Sequence, residues 1–582
     1  MSAAVRVWAP DAAKVECRIG PADAPVTAAM RPTQDGWWEG PRLPARTDYA
    51  FMIDGEGPFP DPRSPWQPHG VHGPSRTFDA DAYAWGDQAW EGLDARGAVH
   101  YELHVGTFTP GGTLDAVDGH QLRDLAARGV EMIELMPLAA FPGTRGWGYD
   151  GVALYSVHEA YGGPEALQRF VDRAHRHGMG VCLDVVYNHL GPDGNYLARF
   201  GPYFTDAHET PWGWAVNLDQ PAAAGMRAFI VDNALRWFED FHVDALRLDA
   251  VHALVDDSER HILAELADET AALAAQLGRP LSLTAESDLN DASMVTPTSE
   301  GGLGMTAQWA DDVHHALHAY LTGERHGYYC DFGSIEALDK VYRDVFLHDG
   351  SFSTFRGRDW GAPVPASVDR RRFVVFASNH DQVGNRAIGD RPASRLSPGA
   401  QAASLALVLL SPFTPMLFMG EEYGETRPFM FFTDHDESLG SAVSEGRMSE
   451  FAGHGWEELY GGAVRVPDPQ DRQTFLRSKL GSGVSASTAS HRLIEEWVAA
   501  VMAARSGTLP PAAWEAHPAG VSELAPRQLT MHGPVRVHAN LSTSPMVVET
   551  EASALAVFGS VEAIEGALVL APDAVALVAA EG

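Results

Sequence analysis

Cysteine is nearly absent from this chain. Among 582 residues there are three, Cys17, Cys182 and Cys330, odd in number, far apart and in no metal-ligand spacing. They exclude a disulfide framework and predict a reducing, cytoplasmic setting. Basic residues are also in short supply. Lys and Arg total 42 against 78 Asp and Glu, a formal net charge of −36. A surface of that sign repels nucleic acid and anionic membranes, so neither is an expected partner. It suits a neutral substrate such as a sugar. The first residues lack a basic region followed by an apolar core, so no signal peptide is expected. Long unbroken apolar runs are missing too. The most apolar stretch, residues 404–420, is interrupted by Pro412 and Pro415. It reads as a buried helix passing into a buried strand, not as a membrane span. Internal repeats and low-complexity tracts are absent.

A chain of this length is expected to form two to four domains. Residues 1–92 read as a β-sandwich. Val5 and Val7 alternate, as do Val15, Cys17 and Ile19, and turn signals such as Gln34-Asp-Gly and Asp54-Gly-Glu-Gly follow closely. Residues 58–74, rich in Pro, Gly and His, read as an ordered loop that packs on the next domain.

From 93 to 490 apolar strand-like runs alternate with helical periodicity. Candidate strands lie near 100–107, 132–136, 181–187, 243–249, 281–286, 305–309, 373–378 and 415–419, and candidate helices span 164–177, 226–241 and 258–277. The pattern predicts an α/β fold, a (β/α)₈ barrel, with long insertions because the span exceeds the usual ~250 residues. Residues 491–582 begin with a helix carrying Leu493, Trp497 and Val501 at i, i+4, i+8. Short strands then return and predict a small C-terminal β-sandwich.

Four short segments fall at the ends of predicted strands. They are Asp184-Val-Val-Tyr-Asn-His189, Arg247-Leu-Asp249, Ala285-Glu286-Ser287 and Ser378-Asn-His380-Asp381. A barrel of this type places its active site at the C-terminal strand ends, so these carboxylates can converge. A carboxylate pair at one sugar ring is what glycoside hydrolysis requires. Arg247 and Asp249 are two apart on a strand and share a face. A guanidinium there favours an ionised carboxylate, the state a nucleophile needs. A purely structural ion pair would show the same spacing. Glu286 closes an apolar run, where burial would raise its pKa and fit it to act as a general acid. A solvated loop residue would look the same. His380-Asp381 can grip ring hydroxyls at the seventh strand.

Taken in order, the four segments resemble the signature regions of the α-amylase superfamily of glycoside hydrolases. The resemblance implies Asp249 as nucleophile, Glu286 as general acid/base and Asp381 as transition-state stabiliser. It also implies a sugar site lined by Arg247, His189 and His380, with Tyr149 of Gly146-Trp-Gly-Tyr-Asp-Gly stacking under the cleaved glucose. Longer segments narrow the family. Residues 62–76, 308–318, 415–423, 431–435 and 467–471 are similar to those of maltooligosyl-trehalose trehalohydrolases. The likeness runs from about residue 5 to 480, then weakens, beginning in Ser478-Lys-Leu-Gly-Ser-Gly-Val.

That resemblance implies a retaining hydrolase. It would cut the α-1,4 bond beside the terminal trehalose of maltooligosyl-trehalose, in functional linkage with a synthase that makes the trehalosyl end. Gln382, Asn385 and Arg386, with Asp311 from the sixth βα loop, are the candidate trehalose-side contacts. Branching and debranching enzymes share the sandwich-plus-barrel layout and stand as the alternative. A non-catalytic carbohydrate-binding barrel is a remoter one, because such chains usually lose part of the carboxylate trio. No cofactor or metal is expected. Asn188 sits where some α-amylases place a calcium ligand, but no dense run of Asp and Asn accompanies it. His314, His315 and His318 share a helix without the acid or Cys pattern of a zinc site.

Overall fold

The computed structural model describes residues 3–21, 23–451, 459–462, 464–481, 488–508 and 511–580. Ser482-Gly-Val, the end of the segment where the family likeness weakens, lies outside them. Two antiparallel sheets form the N-terminal part. Ala3–Trp8 pairs with Trp37–Leu43, and Val15–Ile19 pairs with both Val26–Ala29 and Asp48–Ile53. The alternation is visible in burial, with Val5, Val7, Val15 and Cys17 all inside. The Pro-rich loop docks on the barrel as its composition suggested. Trp66 Nε1 donates to Glu159 Oε2 at 2.8 Å. Arg63 Nη1 donates to Asp232 at 2.6 Å while its guanidinium lies over Tyr155 and Phe229.

Eight parallel strands then close into a barrel. They are β1 His100–Leu103, β2 Met132–Leu135, β3 Gly180–Val185, β4 Ala245–Leu248, β5 Ser282–Ala285, β6 Ala307–Trp309, β7 Phe373–Phe376 and β8 Thr414–Phe418. Each lies on its predicted run. Both faces of these strands are buried, which is why they read as apolar runs. Outward residues such as Ile133, Leu135, Leu183, Leu246 and Leu283 join the main hydrophobic cluster. The alternate residues fill the barrel. Met132, Cys182 and Ala245 form one interior cluster, and Ala307, Trp309, Val374, Phe376 and Met416 another. The apolar stretch 404–420 divides as expected, into the helix Pro398–Leu409 and β8.

Insertions widen the rim. A hairpin, Phe204–Thr210 with Gly213–Val216, follows β3, and a shorter one, Ser351–Ser353 with Arg358–Trp360, precedes β7. The helix Glu437–Phe451 follows β8. Two local expectations need correction. The helix expected from 258 starts at Ile262. The Asp256 carboxylate accepts from the amides of Ser258 (3.0 Å) and Ile262 (2.6 Å) and holds the intervening residues as a loop. In the helix Ala489–Thr508 Leu493 is exposed, and the buried stripe is Ile494, Trp497, Val498, Val501 and Met502. At 3.6 residues per turn Leu493 falls just off the edge of that stripe. Beyond the helix a five-stranded and a three-stranded antiparallel sheet complete the chain. Among the described residues no helix is long and apolar enough to cross a membrane.

Candidate active site

The parallel register sets Asp184 of β3 directly beside Arg247 of β4. Arg247 is fully buried, and a buried guanidinium must be paired. Its Nη1 donates to Asp184 Oδ2 at 2.8 Å and to Asp249 Oδ1 at 2.9 Å. Its Nη2 lies 2.9 Å from Glu286 Oε2. One planar fork therefore holds the carboxylates that follow β4 and β5. Asn188, just past β3, donates from Nδ2 to the Asp249 backbone carbonyl (2.7 Å) and to Oδ2 (2.9 Å). Both Asp249 oxygens are thus engaged.

Glu286 occupies a different electrostatic setting. Burial is the largest influence on it. Arg247 opposes that influence, Asp249 and Asp381 reinforce it, and the carboxyl is pushed up to about 8. Its Oε2 accepts the Ala250 amide at 2.6 Å. Ala250 is held at φ 40°, in the left-handed region a non-glycine residue rarely adopts, so strain is stored beside the carboxyl pair.

His380 opens a short helix, His380–Gly384, immediately after β7. Its backbone amide donates to Glu102 Oε2 at 2.8 Å and its Nδ1 faces Glu102 Oε1 at 2.5 Å. Burial works against its charge, but Asp381 and Glu102 outweigh burial and raise it to about 10. The ring is an imidazolium at neutral pH. Tyr149 stacks on it, with ring centres 5.1 Å apart and planes at 19°. The Tyr149 hydroxyl donates to Asp184 at 2.6 Å. His189 is held by the Tyr149 carbonyl at 3.0 Å and stacks flat against Trp212 on the first rim hairpin, at 4.4 Å.

Asp381 borders a cleft of about 790 Å³ whose walls include Asp288, Asp311, Tyr328, Gln382 and Asn385. Asn385 Nδ2 donates to Asp381 Oδ1 at 2.9 Å. Asp311 Oδ1 is buried without a hydrogen-bond partner, and burial, with Asp381 next, raises this carboxyl to about 7. Arg386 also borders the cleft but is not a free sugar donor, contrary to expectation. Its fork is spent on Glu324 (2.9 and 3.0 Å) and Asp390 (3.1 and 3.2 Å). It braces the wall. The three helix histidines are likewise engaged or enclosed. His314 contacts the Ala377 carbonyl and the Tyr329 hydroxyl, His318 bonds Glu324, and His315 lines the cleft.

With this geometry in place, similarity to known proteins becomes specific. The chain is 53% identical over 484 residues to malto-oligosyltrehalose trehalohydrolase of Arthrobacter ramosus, covering 81% of this chain and 82% of the relative. It is 50% identical to the enzyme of that name from Rhizobium sp., covering 86% and 84%. The chain belongs to the malto-oligosyltrehalose trehalohydrolase family. The alpha-amylase catalytic-domain profile matches residues 104–222, which include β2 and β3. A 1,4-alpha-glucan branching enzyme of Corynebacterium jeikeium is only 29% identical, over 73% of this chain and 61% of its own. Among solved structures, a Salmonella typhimurium protein provisionally called an alpha amylase superposes with TM-score 0.86 at 35% identity, covering 99% of this chain and 97% of that one.

Three contributors to the site were missing from the sequence-based candidates for catalysis or sugar contact. Glu102 lies inside β1, where a single acid in a short buried strand gives no periodic signal. Asp184 and Asn188 stood within a quoted segment, but only contacts across strands show what they hold.

Proposed function

We propose that this chain is a retaining glycoside hydrolase that cuts the α-1,4 bond next to the terminal trehalose of maltooligosyl-trehalose. The observation that carries the mechanism is the asymmetry between two carboxyls on one guanidinium. Asp249 sits in a full set of donors from Arg247 and Asn188. Glu286 is half-buried, and its carboxyl is pushed up to about 8, so it carries its proton at neutral pH. Paired carboxyls with opposed environments divide into nucleophile and acid.

Asp249 attacks the anomeric carbon and forms a glycosyl–enzyme ester. Glu286 gives its proton to the departing oxygen, so trehalose leaves as a neutral alcohol. Glu286, now ionised, takes a proton from water, whose oxygen attacks the same carbon and regenerates Asp249 with retained configuration. Asp381 supplies an acceptor for hydroxyls of the reacting ring, beside the His380 imidazolium, whose Nε2 faces the Tyr149 hydroxyl at 2.8 Å. Tyr149, stacked on His380, presents its other face to that ring.

The bent, non-reducing trehalose unit is assigned to the cleft beyond Asp381, against Gln382, Asn385 and the unpartnered Asp311. A straight maltose unit would leave such buried polar groups unmatched, and unmatched groups discriminate strongly. The 53% and 50% identical relatives, both named trehalohydrolases, support this reading over branching chemistry. The three free thiols favour a cytoplasmic enzyme, and the family likeness supports a role after a synthase making the trehalosyl end.

The test is direct. Maltooligosyl-trehalose and a maltooligosaccharide of equal length are each incubated with the protein, and the products are chromatographed. Trehalose release with clearly higher kcat/KM on the first substrate is the expected result. Equal rates would reduce the protein to a general amylase, and formation of α-1,6 branches would make it a branching enzyme. Anomer-resolved NMR of the newly formed reducing end of the maltooligosaccharide, recorded before mutarotation, reads the retention.

A further inference from the structure

The active site occupies the C-terminal ends of the strands. A second cavity, of about 730 Å³, lies at the opposite mouth. Its walls include Ala98, Glu131, Arg371 and Phe413, the residues that lead into β1, β2, β7 and β8. It is nearly as large as the catalytic cleft, within the range that holds a small organic ligand, and shares no residue with it.

Its charges are unevenly matched. Arg96 is held by Asp94, and Arg371 by Asp369 at 2.7 Å. Arg370 and Arg505 have no carboxylate within ion-pair distance among the described residues. Arg505 Nη1 and Nη2 donate only to the carbonyls of Leu409 (2.6 Å) and Gly97 (2.9 Å). Arg370 Nη1 is buried with no acceptor. Of the remaining acids, Glu131 is turned to the Val99 amide at 2.9 Å, and Glu515 stands exposed on the rim. Partly buried guanidinium groups whose opposing acids, Asp344 for Arg370 and Glu131 for Arg505, lie beyond ion-pair distance are costly, and an anion lowers that cost. Trp514 and Phe413 add flat apolar wall to the same cavity.

We propose that this cavity binds a hexose phosphate, with the phosphate on Arg370 and Arg505 and the sugar ring against Trp514. Arginine forks match phosphate oxygens in pairs. The rim carboxylates of Glu131 and Glu515 accept hydroxyl hydrogens, which selects a polyhydroxylated ring over a hydrocarbon anion.

Isothermal titration of the full-length protein tests this with glucose 6-phosphate, inorganic phosphate and glucose as separate probes. The ester should bind about tenfold or more tighter than either fragment. The affinity should be unchanged when maltotetraose fills the catalytic cleft, and should fall about tenfold in Arg370→Gln and in Trp514→Ala. Circular dichroism shows whether either variant is folded. Equal affinity for inorganic phosphate would overturn the sugar part of the assignment. Equal affinity for glucose, competition by maltotetraose, or no heat from the ester at millimolar concentration would overturn the site itself.

Discussion

At the scale of single residues, one proton decides the chemistry. Glu286 must enter the reaction protonated. Its carboxyl is raised to about 8, chiefly by burial, so it carries its proton below that pH and loses it above. Activity is therefore expected to fall as pH rises through about 8, which a kcat/KM profile on maltooligosyl-trehalose would show. A profile still rising past that point would remove Glu286 as the acid. Glu286→Gln keeps the shape and removes the proton transfer, so a loss of about 10²–10⁴-fold in kcat is expected. Asp249→Ala removes the covalent step and should leave only background turnover. Both variants should retain the native circular dichroism spectrum. Near-wild-type activity in either one would sink the mechanism.

At the scale of elements, the site depends on how a five-residue helix is seated. His380–Gly384 is capped by Asn379, whose side chain accepts the Gln382 amide at 2.8 Å. Gly384 closes the helix against Trp147. A Cβ there would come within 2.1 Å of the indole, which itself packs edge-on against His380 at 5.5 Å. Gly384→Ala is expected to cost about 1–3 kcal/mol through overpacking. It should also lower kcat, because the displaced indole tilts His380. Unchanged kcat with reduced thermal stability would confine Trp147 to packing. The barrel strands were legible because burial on both faces leaves apolar runs, and the signature carboxylates because they stand where those runs end. Glu102 and Asp184 were harder to see, because an inward polar side chain is recognised only by its partner on another strand. Arg386 was misread for the same reason. One partner, Asp390, is four residues on, but Glu324 is 62 residues away and nothing local marks that second pairing.

At the scale of the whole molecule, hydrophobic packing does not stop at the sheet boundaries. One cluster runs from Val5 and Trp8 of the first sheet, through the barrel, to Leu529 and Leu577 near the C-terminus. Trp8 is the seam on the N-terminal side. It is buried, meets Tyr203 edge-on at 5.1 Å, and lies so close to Gly225 that a Cβ there would come within 2.3 Å of its ring. Its indole also donates to the Asp35 carbonyl at 3.0 Å, tying the sheet's turn to the same contact. A continuous core predicts that the three parts unfold together, in a single calorimetric transition. Trp8→Ala removes a large buried side chain, a change that typically costs about 3–5 kcal/mol. If the core is shared, the whole transition moves down and stays single. If the N-terminal sheets were merely tethered, the variant would split off a separate low-temperature peak and leave the barrel transition in place. Scanning calorimetry of the variant distinguishes the two, and kcat at a temperature below the transition should stay close to wild type, because Trp8 touches none of the site residues.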